Sequence, residues 1–130
     1  MAKKPIVLEA DLKTTFTGNT SWQNVTGLTI TIPEDGLYLL TMNLITDPTA
    51  AGRHALSRMA VDGTGIGGTN CRNHDHDATA RTIQTNTVVK AIYMKKDQVF
   101  SAQHKANAGT SQVLYAADDA NSRIQAIKLF

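Results

Sequence analysis

Residues Leu28-Thr29-Ile30-Thr31-Ile32 alternate apolar and polar side chains with a period of two. A helix would scatter such a pattern around its circumference, whereas an extended strand sends successive side chains to opposite faces. The segment therefore reads as a β-strand with one buried and one solvated face. Pro33-Glu34-Asp35-Gly36 then turns the chain, and the next run puts Tyr38, Leu40, Met42 and Leu44 on one face and Leu37, Leu39, Thr41 and Asn43 on the other. With both faces partly apolar, this second strand is expected to lie centrally in a sheet.

The same reading continues along the chain. His54 to Val61 ends at Asp62-Gly63, a dipeptide that favours hairpin turns, and a glycine-rich stretch follows before Cys71. Thr87 to Tyr93 is strand-like, Lys95-Lys96-Asp97 makes a polar turn, and Gln98, Val99 and Phe100 start the return strand. Val113-Leu114-Tyr115 and Arg123 to Phe130 supply the last strands, and the alanine-containing segment from Tyr115 to Asn121 reads as a loop. The fold expected is all-β, a jelly-roll β-sandwich of about eight to ten antiparallel strands. Residues 1–20 are an N-terminal arm or first strand, residues 21–130 the jelly roll, and the whole is one domain. Trp22, Leu28, Ile30, Tyr38 and Leu40 are the expected core.

Composition and charge narrow the function. No apolar run approaches the roughly 18 residues needed to span a bilayer, and the apolar stretch Ile6-Val7-Leu8 is too short for a signal peptide, so no membrane partner and no such route of secretion are expected. Cys71 is the sole cysteine, which rules out an internal disulfide and suits folding in a reducing cytosol. Net charge is +2 with the basic residues dispersed, so a nucleic-acid partner is not expected. Two sequons, at Asn19 and Asn24, are read as ordinary polar loop residues.

Three motifs, taken in order, resemble the C1q and tumour necrosis factor (TNF) superfamily of trimeric jelly rolls, including the C1q-like domains of phage structural proteins. The first joins Trp22 to Val25, Leu28, Ile30 and Ile32 with Gly36-Leu37-Tyr38-Leu39-Leu40. The second is the turn Met94-Lys95-Lys96-Asp97-Gln98-Val99, with Lys96 where the family has glycine. The third is the closing Ile124-Gln125-Ala126-Ile127-Lys128-Leu129, where isoleucines replace two aromatics and Ala126 replaces glycine. The resemblance covers Trp22 to Leu129. It implies a homotrimer whose terminal strand lies near the threefold axis, with Tyr93, Ile127 and Leu129 as candidate subunit contacts or as core of their own subunit.

The same resemblance implies a binding or assembly role in a virion. The reading preferred from sequence is a capsid decoration or cement protein, made in the host cytoplasm and placed on the capsid surface with the major capsid protein as partner. A chain that begins at Met1 and holds one domain, without a shaft or coiled coil, fits that role. Lys3, Lys4, Ile6 and Leu8 are the candidate coat-contacting arm. The alternatives are a trimeric tail-fibre or receptor-binding tip, whose loops at 47–53 and 63–77 would meet a host glycan or protein, and a lectin-like binding domain.

Enzyme activity is not expected, and no cofactor is. Gly63, Gly65 and Gly68 mimic a dinucleotide loop, but no helix follows and Ile83 stands where an acidic residue would be needed. His74-Asp75-His76-Asp77 contains metal-ligating residue types, but on a strand His74 and His76 share one face and Asp75 and Asp77 the other, so a closed site would need ligands from elsewhere and the run is read as a solvated loop. Cys71 near His74 has no identifiable oxyanion hole or orienting group and is expected to be inert.

Overall fold

The computed structural model describes residues 4–50, 52–74, 83–115 and 121–130. Eleven strands are present among them: β1 (Val7–Asp11), β2 (Phe16–Gly18), β3 (Gln23–Thr31), β4 (Gly36–Asp47), β5 (His54–Val61), β6 (Thr64–Gly65), β7 (Cys71–His74), β8 (Gln84–Met94), β9 (Val99–Ala106), β10 (Ser111–Val113) and β11 (Arg123–Lys128). The molecule is an all-β jelly-roll sandwich with every strand pair antiparallel. The strand count exceeds the sequence reading because β2, β6 and β10 are only two or three residues long, too short to carry a period of their own. The loop read at Tyr115–Asn121 falls largely outside the described residues.

In the first sheet β4 is central. Residues 36–46 pair with β8 on one side; on the other, residues 38–43 pair with β11 and residues 46–47 with β10. Strands β1 and β2 extend the sheet outside β11 and β10. The second sheet runs β3-β9-β5, and the free edge of β5 is shared by β7 and β6. Tyr38, Leu40, Met42 and Leu44 of β4 face Leu28, Ile30, Phe100 and Met59 across the interior, and all but Ile30 are fully buried. Burial of this row is the main stabilising term, since each such side chain contributes about 1.5–3 kcal/mol on leaving water.

Turn chemistry sets the register. Asp62 and Gly63 both adopt positive φ (50° and 82°), which makes the two-residue β5–β6 link a twist-matched hairpin and assigns the glycine-rich stretch to a turn rather than a phosphate loop. In the β8–β9 turn the left-handed position is Asp97 (φ 71°), not Lys96. Aspartate tolerates that conformation, so the family's glycine is not needed at Lys96. The turn is tied to the β3–β4 corner by Lys96 N–H donating to Asp35 Oδ1 (2.8 Å) and Asp97 N–H donating to the Ile32 carbonyl (2.8 Å).

One expectation is corrected. Trp22 is not in the core; it is half-buried on the outer face of the second sheet, beneath Arg58 and Lys105. Of the two readings of the N-terminal segment, arm or first strand, the described residues take the second: β1 pairs residue by residue with β11 of its own chain, from Val7–Ile127 to Asp11–Arg123. Leu8 packs against the core, Ile6 accepts a backbone hydrogen bond from Lys128 (3.0 Å), and Lys4 lines a groove beside Leu129; Lys3 lies outside the described residues.

Candidate functional site: the outer face of the first sheet

Cross-strand partners share a face, so the register of β8, β4, β11 and β1 defines the outward surface of the first sheet. One row runs Tyr93–Leu37, the next Ala91–Leu39–Ile127–Val7, and the third Val89–Thr41–Gln125–Glu9. Val89, Val7 and Leu129 are about half exposed, while Tyr93 (77%) and Phe130 (80%) are almost free of the body. Leu37, Leu39 and Ile127 fill the spaces between them at intermediate exposure. The structure thus gathers the three sequence-predicted contact residues, Tyr93, Ile127 and Leu129, at one end of one face, and none of the three is part of the core. Leu37, Leu39, Val7, Val89 and Phe130 belong to the same patch and were not singled out from sequence.

Polarity changes along the strands. Away from the Gly36 end, the face carries the Arg123–Asp11 ion pair (3.0 Å), the Gln125–Glu9 hydrogen bond and the Thr87–Asn43 hydrogen bond (2.7 Å). At the apolar end a groove of about 600 Å³ is lined by Lys4, Pro5, Ile6, Glu34 and the last three residues, with Lys128 Nζ held 2.5 Å from Glu34 Oε1. A second groove, of about 500 Å³, opens between Tyr93 and the β3–β4 and β8–β9 corners. A contiguous apolar patch with a charged border is the form expected of a protein contact surface.

Comparison with known proteins fits this geometry to a fold. No protein-family model and no curated protein matches the chain. Among solved structures, the Eiger TNF of S. frugiperda superposes with a TM-score of 0.67 at 12% identity, covering 98% of this chain and 94% of that one. Murine APRIL, in its structure at pH 5.0, superposes with a TM-score of 0.64 at 13% identity, covering 97% and 100%. The fold is a TNF-type jelly roll. Both matches span nearly the entire chain, so the likeness covers both sheets and not a shared sandwich half.

Within this TNF-type jelly roll no catalytic constellation is exposed among the described residues. Ser57 Oγ lies 2.9 Å from His104 Nδ1, a nucleophile-to-base distance, but both residues are fully buried and the other ring nitrogen meets Ser111 Oγ at 2.7 Å, not a carboxylate. His74 stacks on His54 across β7 and β5 (ring centroids 3.8 Å apart). Asp75, His76 and Asp77 lie outside the described residues, and no group of three or more potential metal ligands is gathered among the described ones.

The Cys71 thiol is half-buried against the Ser57 carbonyl (3.6 Å), and desolvation pushes it up to about 11. Because the thiolate is the reactive form, Cys71 is expected to react with an aromatic disulfide reagent at pH 8 about 100-fold more slowly in the native protein than in denaturant. Equal rates in the two states would show that the thiol is neither desolvated nor shielded.

Proposed function

We propose that this chain is a homotrimeric binding module that recognises a surface glycan or protein and carries out no catalysis. The observation that carries this reading is the apolar end of the first sheet. In water, Tyr93, Val89, Val7, Leu129 and Phe130 together leave a patch that an isolated domain gains by covering. A second and third copy are the occupants the fold favours, because in the TNF and C1q families the terminal strand lies near a threefold axis and here β11 lies in the middle of the patch. Closed symmetry would bury the patch on every copy with no edge left over.

A trimer leaves the second sheet and the loops at 47–53 and 62–74 facing outward, and threefold repetition of a weak site raises its avidity. On the phage resemblance, the carrier of such a module is the virion, working outside the cell that made it, at the step where the particle meets its host. Decoration of the head through an N-terminal arm loses its element, since residues 7–11 are committed to their own sheet and Leu8 to their own core.

Light scattering on the purified chain tests the assembly. The expected mass is three times the 14.0 kDa of one chain. The Tyr93→Asp/Leu129→Asp double variant should run as a monomer with an unchanged circular dichroism spectrum, because assembly would desolvate six unpaired carboxylates while the single domain leaves both positions exposed. A wild-type chain that stays monomeric at 100 µM, or a double variant that remains trimeric, overturns the assignment.

A further inference from the structure

We propose that the outer face of the second sheet binds an acidic glycan, a sulfated or carboxylated oligosaccharide, through Arg58, Arg72 and Lys105. This deepens the recognition half of the reading above by naming the surface and the ligand class, and it does not depend on the trimer.

The register builds the cluster. Leu56 of β5 stands opposite Arg72 of β7 on one side and opposite Lys105 of β9 on the other. Two strand spacings put the backbones of Arg72 and Lys105 about 10 Å apart, on the scale of neighbouring sugar residues. Arg58 is two residues farther along β5, on the same face, opposite Gln103.

Two of the cations are held in place before any ligand arrives. The Arg58 guanidinium carbon lies 4.2 Å from the centroid of the Trp22 ring and Lys105 Nζ 4.9 Å from it. Arg58 Nε donates to Gln103 Oε1 at 2.8 Å, and a Cβ on Gly65 would stand 2.5 Å from the guanidinium, so the missing side chain there makes its space. Cation–π contacts of this kind fix long side chains that would otherwise lose rotamer freedom on binding.

The described residues of this face carry no counter-charge. Its outward strand positions beside the cations hold Asn24, Ser101, Gln103 and Leu56, with no carboxylate. The ion pairs among the described residues, Arg123–Asp11 and Lys128–Glu34, involve other parts of the molecule. Three cations on one sheet face, with no carboxylate at its described strand positions, create a positive potential that attracts an anion. Of the anionic polymers, a glycan suits the surroundings: exposed Asn24, its Oδ1 fixed by Ser101 and Gln103, can offer its amide N–H groups to hydroxyls, while the ring that would stack a nucleobase is occupied by the cations.

The test is a calorimetric titration of the full chain with a heparin-derived hexasaccharide and with its desulfated, N-acetylated counterpart. The expected result is saturable binding of the sulfated form that weakens as salt rises, and at least tenfold weaker binding of the desulfated one. Arg72→Ser/Lys105→Gln should weaken binding at least tenfold, whereas Lys90→Gln on the first sheet should leave it unchanged. The Tyr93→Asp/Leu129→Asp monomer should keep the per-chain affinity, so failure of the trimer and failure of this site read out separately. The proposal is overturned by no saturable binding, by a double variant that binds as well as wild type, or by equal displacement with a single-stranded oligonucleotide or a polyglutamate peptide of matched charge.

Discussion

Replacing Tyr38 by alanine is expected to cost the fold about 3–5 kcal/mol, the range for emptying a large aromatic site in a close-packed core. Tyr38 is fully buried near the start of β4, and its inward neighbours Leu40 and Met42 and the facing residues of β3 and β9 are close-packed core with little room to fill the hole. The phenol also does a second, smaller job: its hydroxyl donates to the Glu34 carbonyl at 2.8 Å and so pins the β3–β4 corner. Tyr38→Phe removes only that bond and should cost about 1 kcal/mol. Urea unfolding of the two variants side by side separates ring from hydroxyl. A Tyr38→Ala chain that loses less than 1 kcal/mol would mean that the ring is not the keystone of the first sheet's inner face.

Acidification from pH 7 to pH 4 is expected to remove about 3 kcal/mol of stability through His104 alone. Burial lowers its pKa from 6.5 to about 4, with no carboxylate bonded to it to offset the cost. Above pH 6.5 the imidazole is neutral whether the chain is folded or not, and the full contribution is present. Below that value the unfolded chain takes up a proton that the native chain refuses, so stability falls across the window and the loss is complete once pH passes below about 4. The hydrogen bonds are compatible with either ring form, so the sign is set by desolvation. A neutral ring donates from one nitrogen and accepts at the other and a charged ring donates from both, and Ser57 and Ser111 can match each by rotating their hydroxyls, so no ionic partner offsets the loss of water. His104→Gln should be less stable than wild type at pH 7 and show a flatter profile between pH 6.5 and 4. An identical slope in the two proteins would place the acid sensitivity elsewhere.

How much of this was legible beforehand depends on whether the information is local. The period of two in Leu28-Ile32 and the double-sided β4 are set by neighbouring residues, and they specify strand, face and centrality without knowledge of the partner. His104 was legible on the same grounds and was overlooked: in Phe100-Ser101-Ala102-Gln103-His104-Lys105-Ala106 it falls in phase with Phe100, Ala102 and Ala106, the inward set. Trp22 was misplaced because a large aromatic is usually core. Its actual site depends on Arg58 and Lys105, which arrive from strands far along the chain. The cationic face of the second sheet was illegible for that reason, being built from β5, β7 and β9 only by register. The apolar patch was half legible, since the resemblance pointed to Tyr93, Ile127 and Leu129, while Leu37, Leu39 and Val7 join them only once β4, β11 and β1 are aligned.

The pairing of β1 with β11 bears on how the molecule is made. Residues 7–11 find their partners at 123–127, so β1 cannot be hydrogen-bonded into its sheet until β11 has been made. The central strand β4 is in the same position, with one edge open until β8 appears and the other until β10 and β11 do. Stepwise folding during synthesis is therefore closed to the first sheet, and such non-local closure is slow, in the millisecond to second range. During that interval the apolar inner row of β4 is exposed with an unpaired edge, which makes nascent chains of this protein natural clients for chaperones.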